Sequence, residues 1–359
     1  MKPGAILFRR RVNLQLVFGV SILLTALVPL PASGQDETFY KSKTIRLIVG
    51  FAEGGAFDIY SQVIARHMSK HISGNPIIVI ENMPGAGSLR AANHLFNAVK
   101  PDGLTIGNWI GFLIMAQVLG RGNIEFDTSK FEWVGVPVRE TPVCVLSKAS
   151  GVASMEKWME SSARITLGAI APGTQTDDIP KILMAALGLP IQLKGGYKLT
   201  SSIPGLKFPS IQEAAEKREV GGLCGVWESL RVTWRKEFEA GNVHVVLQAS
   251  PKKHPDLLNV PNAIDYAKTE EARQLIRAGI HDQSAIMRLY SLPPGTPKDR
   301  VEILRKAFTE TMRDPGFLAD AQKFNVPINP VDGAEIETIV HGLVKLEPSL
   351  LAKLKEVLK

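Results

Sequence analysis

The sequence predicts an α/β protein built as two similar lobes. Strand-like and helix-like runs alternate along most of the chain, they do so in two successive series, and 359 residues suffice for two domains of ordinary size. In the first series Thr44 to Val49, Pro76 to Ile80 and Leu104 to Asn108 are apolar runs of strand length. Helical periodicity separates them at Phe57 to Ile72 and Ser88 to Val99, the βαβαβ order of a parallel sheet. The second series places strands at Val143 to Ser147, Arg164 to Ala169, Ile191 to Leu193, Val220 to Trp227 and Val243 to Ala249. Its helices lie near Ser154 to Ser161, Asp177 to Leu187, Ser210 to Lys217 and Ser229 to Ala240. The C-terminal region reverts to helix, with Pro297 to Arg313 and Gly316 to Phe324 parted by Asp314-Pro315, and Gly333 to Leu358 last.

Residues 1–34 have the pattern of an export signal. Lys2, Arg9, Arg10 and Arg11 form a basic start without acidic residues, and Leu14 to Val28 is an apolar stretch too short to span a bilayer comfortably. Pro29 and Pro31 break the helix, and Ala32-Ser33-Gly34 offers small residues for cleavage, so a mature N-terminus near Gln35 is expected. The alternative is an uncleaved anchor. The paired arginines fit a twin-arginine signal poorly, and no cysteine near the cleavage point argues for a lipid anchor. A soluble protein of a Gram-negative periplasm follows. Cleavage removes four of the 42 basic residues and none of the 35 acidic ones, leaving 38 against 35, a formal +3. With no Arg/Lys run interleaved with aromatics, a nucleic-acid partner is excluded. Cys144 and Cys224 are the only cysteines. The compartment permits a bridge, but each lies in an apolar strand-like run, where small buried thiols are the expectation.

Residues 44–58 carry the clearest binding signal. A strand runs into Gly54-Gly55 and then to Asp58, which opens a helix. Glycines let main-chain N–H groups approach a guest, and the helix start favours an anion. The same turn could serve only as a tight connection. Enzyme motifs are missing: there is no Walker loop, H-E-x-x-H, C-x-x-C or G-x-S-x-G elbow. Gly85-Ala86-Gly87 resembles part of a dinucleotide fingerprint, but Arg90 stands where the third glycine belongs. His67 and His71 have a metal-compatible spacing without a third ligand, and beside Arg66 and Lys70 they read as an exposed polar face. Glu156 and Glu160 form no acid/base pair, so no catalytic residue, metal or cofactor is expected.

Together these segments resemble the solute receptors of tripartite tricarboxylate transporters, the Bug-type periplasmic binding proteins. The resemblance spans Tyr40 to about Ile339. It rests on Tyr40-Lys41-Ser42-Lys43-Thr44-Ile45-Arg46 leading to Gly54-Gly55 and Asp58, on Val79-Ile80-Glu81-Asn82 with Pro84-Gly85-Ala86-Gly87, and on Pro101-Asp102-Gly103. Lys194-Gly195-Gly196-Tyr197 and Leu292-Pro293-Pro294-Gly295-Thr296-Pro297 continue it. It implies a type II, Venus-flytrap fold with a mainly parallel sheet flanked by helices in each lobe, lobe 1 being 35–140 with 286–359 and lobe 2 being 141–285. It further implies a monomer that traps a small organic acid and hands it to membrane permease subunits. The positions matching the family's ligand loops are Phe51, Gly54, Gly55, Ala56 and Asp58, then Gly85, Ala86, Gly87 and Ser88, and in the second lobe Gly173 and Thr174.

Departures bear on the ligand. Glu53 stands where the family has a small residue or proline, and Trp227-Glu228 brings an aromatic and a carboxylate toward the expected cleft. If both line it, a plain dicarboxylate meets like charge. Otherwise Trp227 packs within the lobe and Glu228 caps a helix beginning near Ser229. The same fold would serve a sensing subunit of a signalling system. An exported hydrolase would need a nucleophile with a base, and the sequence displays none.

Overall fold

The computed structural model describes residues 39–198 and 210–359; the export signal expected at 1–34 lies outside them. The first half runs β1 (Thr44–Val49), α1 (Ala56–Met68), β2 (Ile77–Asn82), α2 (Leu89–Asn97), β3 (Thr105–Ile110), α3 (Phe112–Val118) and β4 (Glu132–Val136). The chain then crosses to β5 (Pro142–Ser147), α4 (Met155–Glu160), β6 (Ile165–Gly168), α5 (Gln175–Leu187), β7 (Ile191–Lys194), α6 (Ile211–Glu216), β8 (Gly222–Val226), α7 (Trp227–Thr233), α8 (Arg235–Glu239) and β9 (Val243–Gln248). Next come α9 (Glu270–Ile276) and α10 (Asp282–Ala285), and a second crossing returns to β10 (Arg288–Leu292) and α11 (Lys298–Thr311). The last elements are α12 (Pro315–Lys323), β11 (Val331–Asp332), α13 (Gly333–Val344) and α14 (Pro348–Val357).

These strands make two sheets, ordered β11-β4-β10-β3-β1-β2 and β7-β6-β8-β5-β9. In the first, β2, β1 and β3 are parallel as the βαβαβ pattern requires, whereas β10 runs antiparallel to both β3 and β4. In the second, β7, β6 and β8 are parallel and β5 is antiparallel to β8 and β9. Both sheets are therefore mixed rather than mainly parallel. The reversed strands β5 and β10 are the ones the chain enters directly after crossing between the halves, so a short link replaces the helical crossover that parallel pairing needs.

The two crossings lie side by side, Glu140 N–H donating to Ser284 O at 3.1 Å, and the first also meets the segment before β11, Arg139 N–H donating to Asn329 O at 2.7 Å. One core cluster runs from Trp109, Phe131 and Trp133 on the first sheet, through Leu343, Leu350 and Leu354 near the C-terminus, to Ile182 and Leu275 beside the second. Each such side chain contributes about 1.5–3 kcal/mol on burial. Helix α13 packs on β4, while α14 packs on α5 and α9, so the segment after β10 touches both halves.

Several expected elements change. The helix expected over Ser229 to Ala240 starts at Trp227 and breaks at Trp234, and the terminal helix is interrupted before Pro348. Asp314 caps α12 by accepting from Phe317 N–H at 2.9 Å, with Pro315 at the first helical position, which accounts for the stop seen there. His67 and His71 are not an exposed face: they lie part-buried, His67 pairing with Asp320 at 2.9 Å and His71 with Asp314 at 3.4 Å. Cys144 and Cys224 are not free thiols. Antiparallel pairing of β5 with β8 sets them directly opposite with Cα atoms 4.0 Å apart, and they form a disulfide.

Candidate functional site

The turn after β1 is held from within. The Asp58 carboxylate is fully buried and accepts from Gly54 N–H at 2.9 Å, Gln62 Nε2 at 2.6 Å and Asn82 Nδ2 at 2.9 Å. Asn82, at the end of β2, also donates to Phe51 O at 3.0 Å. Phe51 stacks on Phe57 with ring centroids 4.1 Å apart. Asp58 therefore fastens the Gly-Gly turn to the next strand from within the fold, with both oxygens engaged and the side chain buried.

The second turn is strained. Gly85, Ala86, Gly87 and Ser88 all have positive φ, at 150°, 47°, 60° and 69°. Two of them are not glycine, and left-handed backbone costs such residues about 1 kcal/mol or more each. Packing compensates: Ser88 is fully buried, its Oγ accepts Ile110 N–H at 2.9 Å, and Gly50, lacking a side chain, leaves it room. Strain of this kind, held by its surroundings, points to a working surface.

That surface borders a cavity of about 410 Å³ between the two sheets. Ala86 and Gly87 form part of one wall, continued by Ile110 at the end of β3 and by Phe112, Leu113 and Ala116 of α3. The opposite wall is Ile170 to Thr176, after β6, with Val226 at the end of β8 and Ser229 and Leu230 in α7. Every one of these segments follows the carboxyl end of a parallel strand or belongs to the helix next to it, where open α/β sheets bind ligands. Gly173 has φ +79°, and a Cβ there would sit 2.7 Å from Nη1 of Arg121, which reaches across from the turn after α3. Thr174 caps α5 without accepting from a helix main-chain N–H, its Oγ1 donating instead to Ala171 O at 2.7 Å and lying 3.1 Å from Thr176 Oγ1. Beneath this turn Asp178 is buried, and burial pushes its carboxyl up to about 6 against the pull of Arg121.

The crossings close the cavity from behind. Met287 lines it, and Gln175 Nε2 donates to Glu140 Oε2 at 3.0 Å. Glu140 is 2% exposed and pairs with Arg288, whose guanidinium lies 5.3 Å from the Phe57 ring and 5.1 Å from the Tyr60 ring.

Of the residues singled out from sequence, Ala86, Gly87, Gly173 and Thr174 are brought together around the cavity. Phe51, Glu53, Gly54, Gly55 and Ala56 belong to the first turn and do not wall it, nor does Gly85, and Asp58 and Ser88 lie beneath as supports. Trp227 and Glu228 also turn away. Because α7 begins at Trp227, the indole packs on Phe238 and donates to Asp256 Oδ2 at 3.1 Å, while Glu228 accepts Thr141 N–H at 2.9 Å. Glu228 thus neither faces the cavity nor caps a helix. Sequence reasoning missed α3, Arg121, Gln175 and Met287. A second cavity of about 430 Å³, bounded by Ser147, Arg218, Trp234 and Asn242, lies within the second half, and neither turn reaches it. Among the described residues no acidic, histidine or cysteine cluster is placed to hold a metal, and no helix is long and apolar enough to cross a membrane.

Two mixed α/β sheets joined by paired crossings, with a cavity between their strand ends, define a periplasmic-binding-protein fold. A TctC solute binding protein from Polaromonas shares it with a TM-score of 0.65 at 14% identity, over 89% of this chain and 98% of that one. An R. palustris protein solved with adipate superposes at 0.58 and 16% identity, over 88% and 97%. No family model matches the chain. It is, however, 41% identical over 342 residues to a UPF0065 protein of Cupriavidus necator, covering 91% of this chain and 92% of that protein. The chain belongs to the UPF0065 family, that of the Bug-type receptors it resembles in sequence.

Proposed function

We propose that the protein is an exported receptor that captures a small carboxylate-bearing metabolite between its halves and delivers it to a tripartite tricarboxylate-type membrane permease. The halves would be 35–140 with the chain after 286, and 141–285, the last helix riding on the second. One observation carries the proposal. The strained turn at Ala86-Gly87 and the α5 start at Gly173-Thr174, one from each sheet, face a common cavity, and a helix start together with exposed main-chain N–H groups suits an anion. The adipate held by the R. palustris protein of this fold is consistent with such a guest. No catalysis is part of the proposal: the polar groups at the cavity are amides, hydroxyls and one guanidinium, without a nucleophile hydrogen-bonded to a base. Two halves joined by two short crossings can close on a ligand, and a permease would read the closed form.

A thermal-shift panel of organic acids on the mature protein tests this. A ligand at 100 times its dissociation constant adds about 2.7 kcal/mol of stability, so at least one small carboxylate is expected to raise the midpoint visibly. A panel in which only neutral or cationic solutes do so would refute the proposal.

A further inference from the structure

The cavity between the sheets is polar at one end and apolar along its body. Among the described residues that wall it, Arg121 alone carries a charge. Its backbone is pinned by Arg121 N–H donating to Ala116 O at 2.9 Å, and its guanidinium donates through Nη2 to Leu358 O at 2.8 Å. Nη1 lies against Gly173, so the cation and the first turn of α5 share one end of the cavity. Of the carboxylates near the cavity, Glu140 is engaged with Arg288 and Gln175 and Glu228 with Thr141 N–H, while Asp178, beneath the Gly173 turn and within the field of Arg121, has its carboxyl pushed up to about 6 by burial. Away from that end the lining is mainly apolar, with Ile110, Phe112, Leu113, Val226, Leu230 and Met287, and its polar groups, Ser229 and the Ala86-Gly87 main chain, carry no charge.

We infer that the cavity selects apolar monocarboxylates, with Arg121 the ion-pair partner of the carboxylate and the hydrocarbon body of the ligand lying on the α3 and α7 walls. The inference rests on the receptor function proposed above and names its ligand class. A guanidinium held at a helix start offers a carboxylate two parallel hydrogen bonds in addition to the charge of the helix end. A second carboxylate at the far end of the ligand would meet no second cation, only the uncharged Ala86-Gly87 turn and the Ser229 hydroxyl among aliphatic and aromatic side chains, which disfavours it. Arg121 is thus a specificity-determining residue. The sequence held no sign of it, because the helix that carries it to the cavity was not apparent.

Titration calorimetry at pH 7 with hexanoate, adipate and 1-hexanol tests the inference. The three probes share a six-carbon body and differ only in how many ends are charged. Wild type is expected to bind hexanoate at least tenfold more tightly than either adipate or hexanol. Arg121→Gln should lose at least tenfold for hexanoate and little for hexanol, with Arg121→Lys recovering part of the loss. Adipate binding as tightly as hexanoate, hexanol matching hexanoate, or Arg121→Gln binding hexanoate like wild type would each overturn the inference. The hexanoate, adipate and hexanol comparison on wild type stands even if the variants fold poorly. Binding of adipate without hexanoate sinks this inference and leaves the receptor proposal intact, whereas failure of every carboxylate sinks both.

Discussion

Breaking the Cys144–Cys224 bridge should lower stability by several kilocalories per mole without abolishing the fold. The bridge ties β5, the strand entered from the crossing at Glu140, to β8, which ends at the cavity wall with Val226. It links residues separated by 80 positions. In the chain-entropy account a loop of about 80 residues restricts the unfolded chain by about 15 cal/mol/K, or about 4.5 kcal/mol at 25 °C. Unfolding entropy near 2.1 cal/mol/K per residue gives roughly 0.7 kcal/mol/K for a chain of about 325 residues, so the midpoint should fall by about 6–7 °C. The double replacement Cys144→Ala with Cys224→Ala avoids burying hydroxyls and is the cleaner perturbation, since both sulfurs lie in the core. Circular dichroism melts of the oxidised wild type and the double variant supply the number, and a thiol count on the unfolded, unreduced wild type should read zero. Two titratable thiols, or midpoints within about 2 °C, would refute the reasoning.

Three other outcomes are expected. Glu140→Gln leaves the Arg288 guanidinium without its carboxylate partner at a site where Glu140 is 2% exposed, so urea denaturation should show a loss of about 3–5 kcal/mol, and a change under 1 kcal/mol would remove the pair from the account. Asp178 has its carboxyl raised by burial from 3.8 to about 6, so it adds stability below pH 4 that is lost as pH rises through 6; Asp178→Asn should therefore be more stable than wild type at pH 7, by up to about 3 kcal/mol, and equal to it near pH 4. His281, pushed down to about 4 by burial, acts in the opposite sense and weakens the fold as pH falls from 6.5, which is why the difference between variant and wild type, not the bare pH profile, is the quantity to measure. Gly87→Val projects a side chain into the cavity and strains a left-handed backbone by about 1–2 kcal/mol; it should weaken binding of an identified carboxylate at least tenfold, and wild-type affinity would displace Gly87 from the site.

The alternating pattern made most of the fold legible. β1, β2, β3 and the strands from β5 to β9 appear within two residues of their expected places because each is an apolar run bounded by turn residues. β4 escaped notice: it is five residues long and holds Gly135, whose missing side chain admits the Phe308 ring. α3 is seven residues, all apolar except Gln117, and so shows no helical period. Of the candidate site, the Ala86-Gly87 turn and the Gly173-Thr174 helix start, which border the cavity, were marked by the family resemblance and not by their own spacing. Asp58 was legible only as part of the Gly-Gly turn, since a buried carboxylate that fastens a turn and one that faces a guest look alike in sequence. Trp227 and Glu228 stayed open between the cleft and the lobe interior in sequence, because the choice depends on where α7 begins, which is Trp227 and not near Ser229. The disulfide depended on strand order and register, which residue spacing does not contain.

Hydrogen exchange with and without a bound carboxylate tests most directly the claim that the ligand lies between the sheets. With the tightest-binding acid from the thermal-shift panel at saturation, protection should rise together in peptides covering Ala86 to Ser88 and in those covering Gly173 to Thr176, one segment from each half. Protection confined to one half, or centred on the cavity at Ser147 and Asn242, would contradict the account.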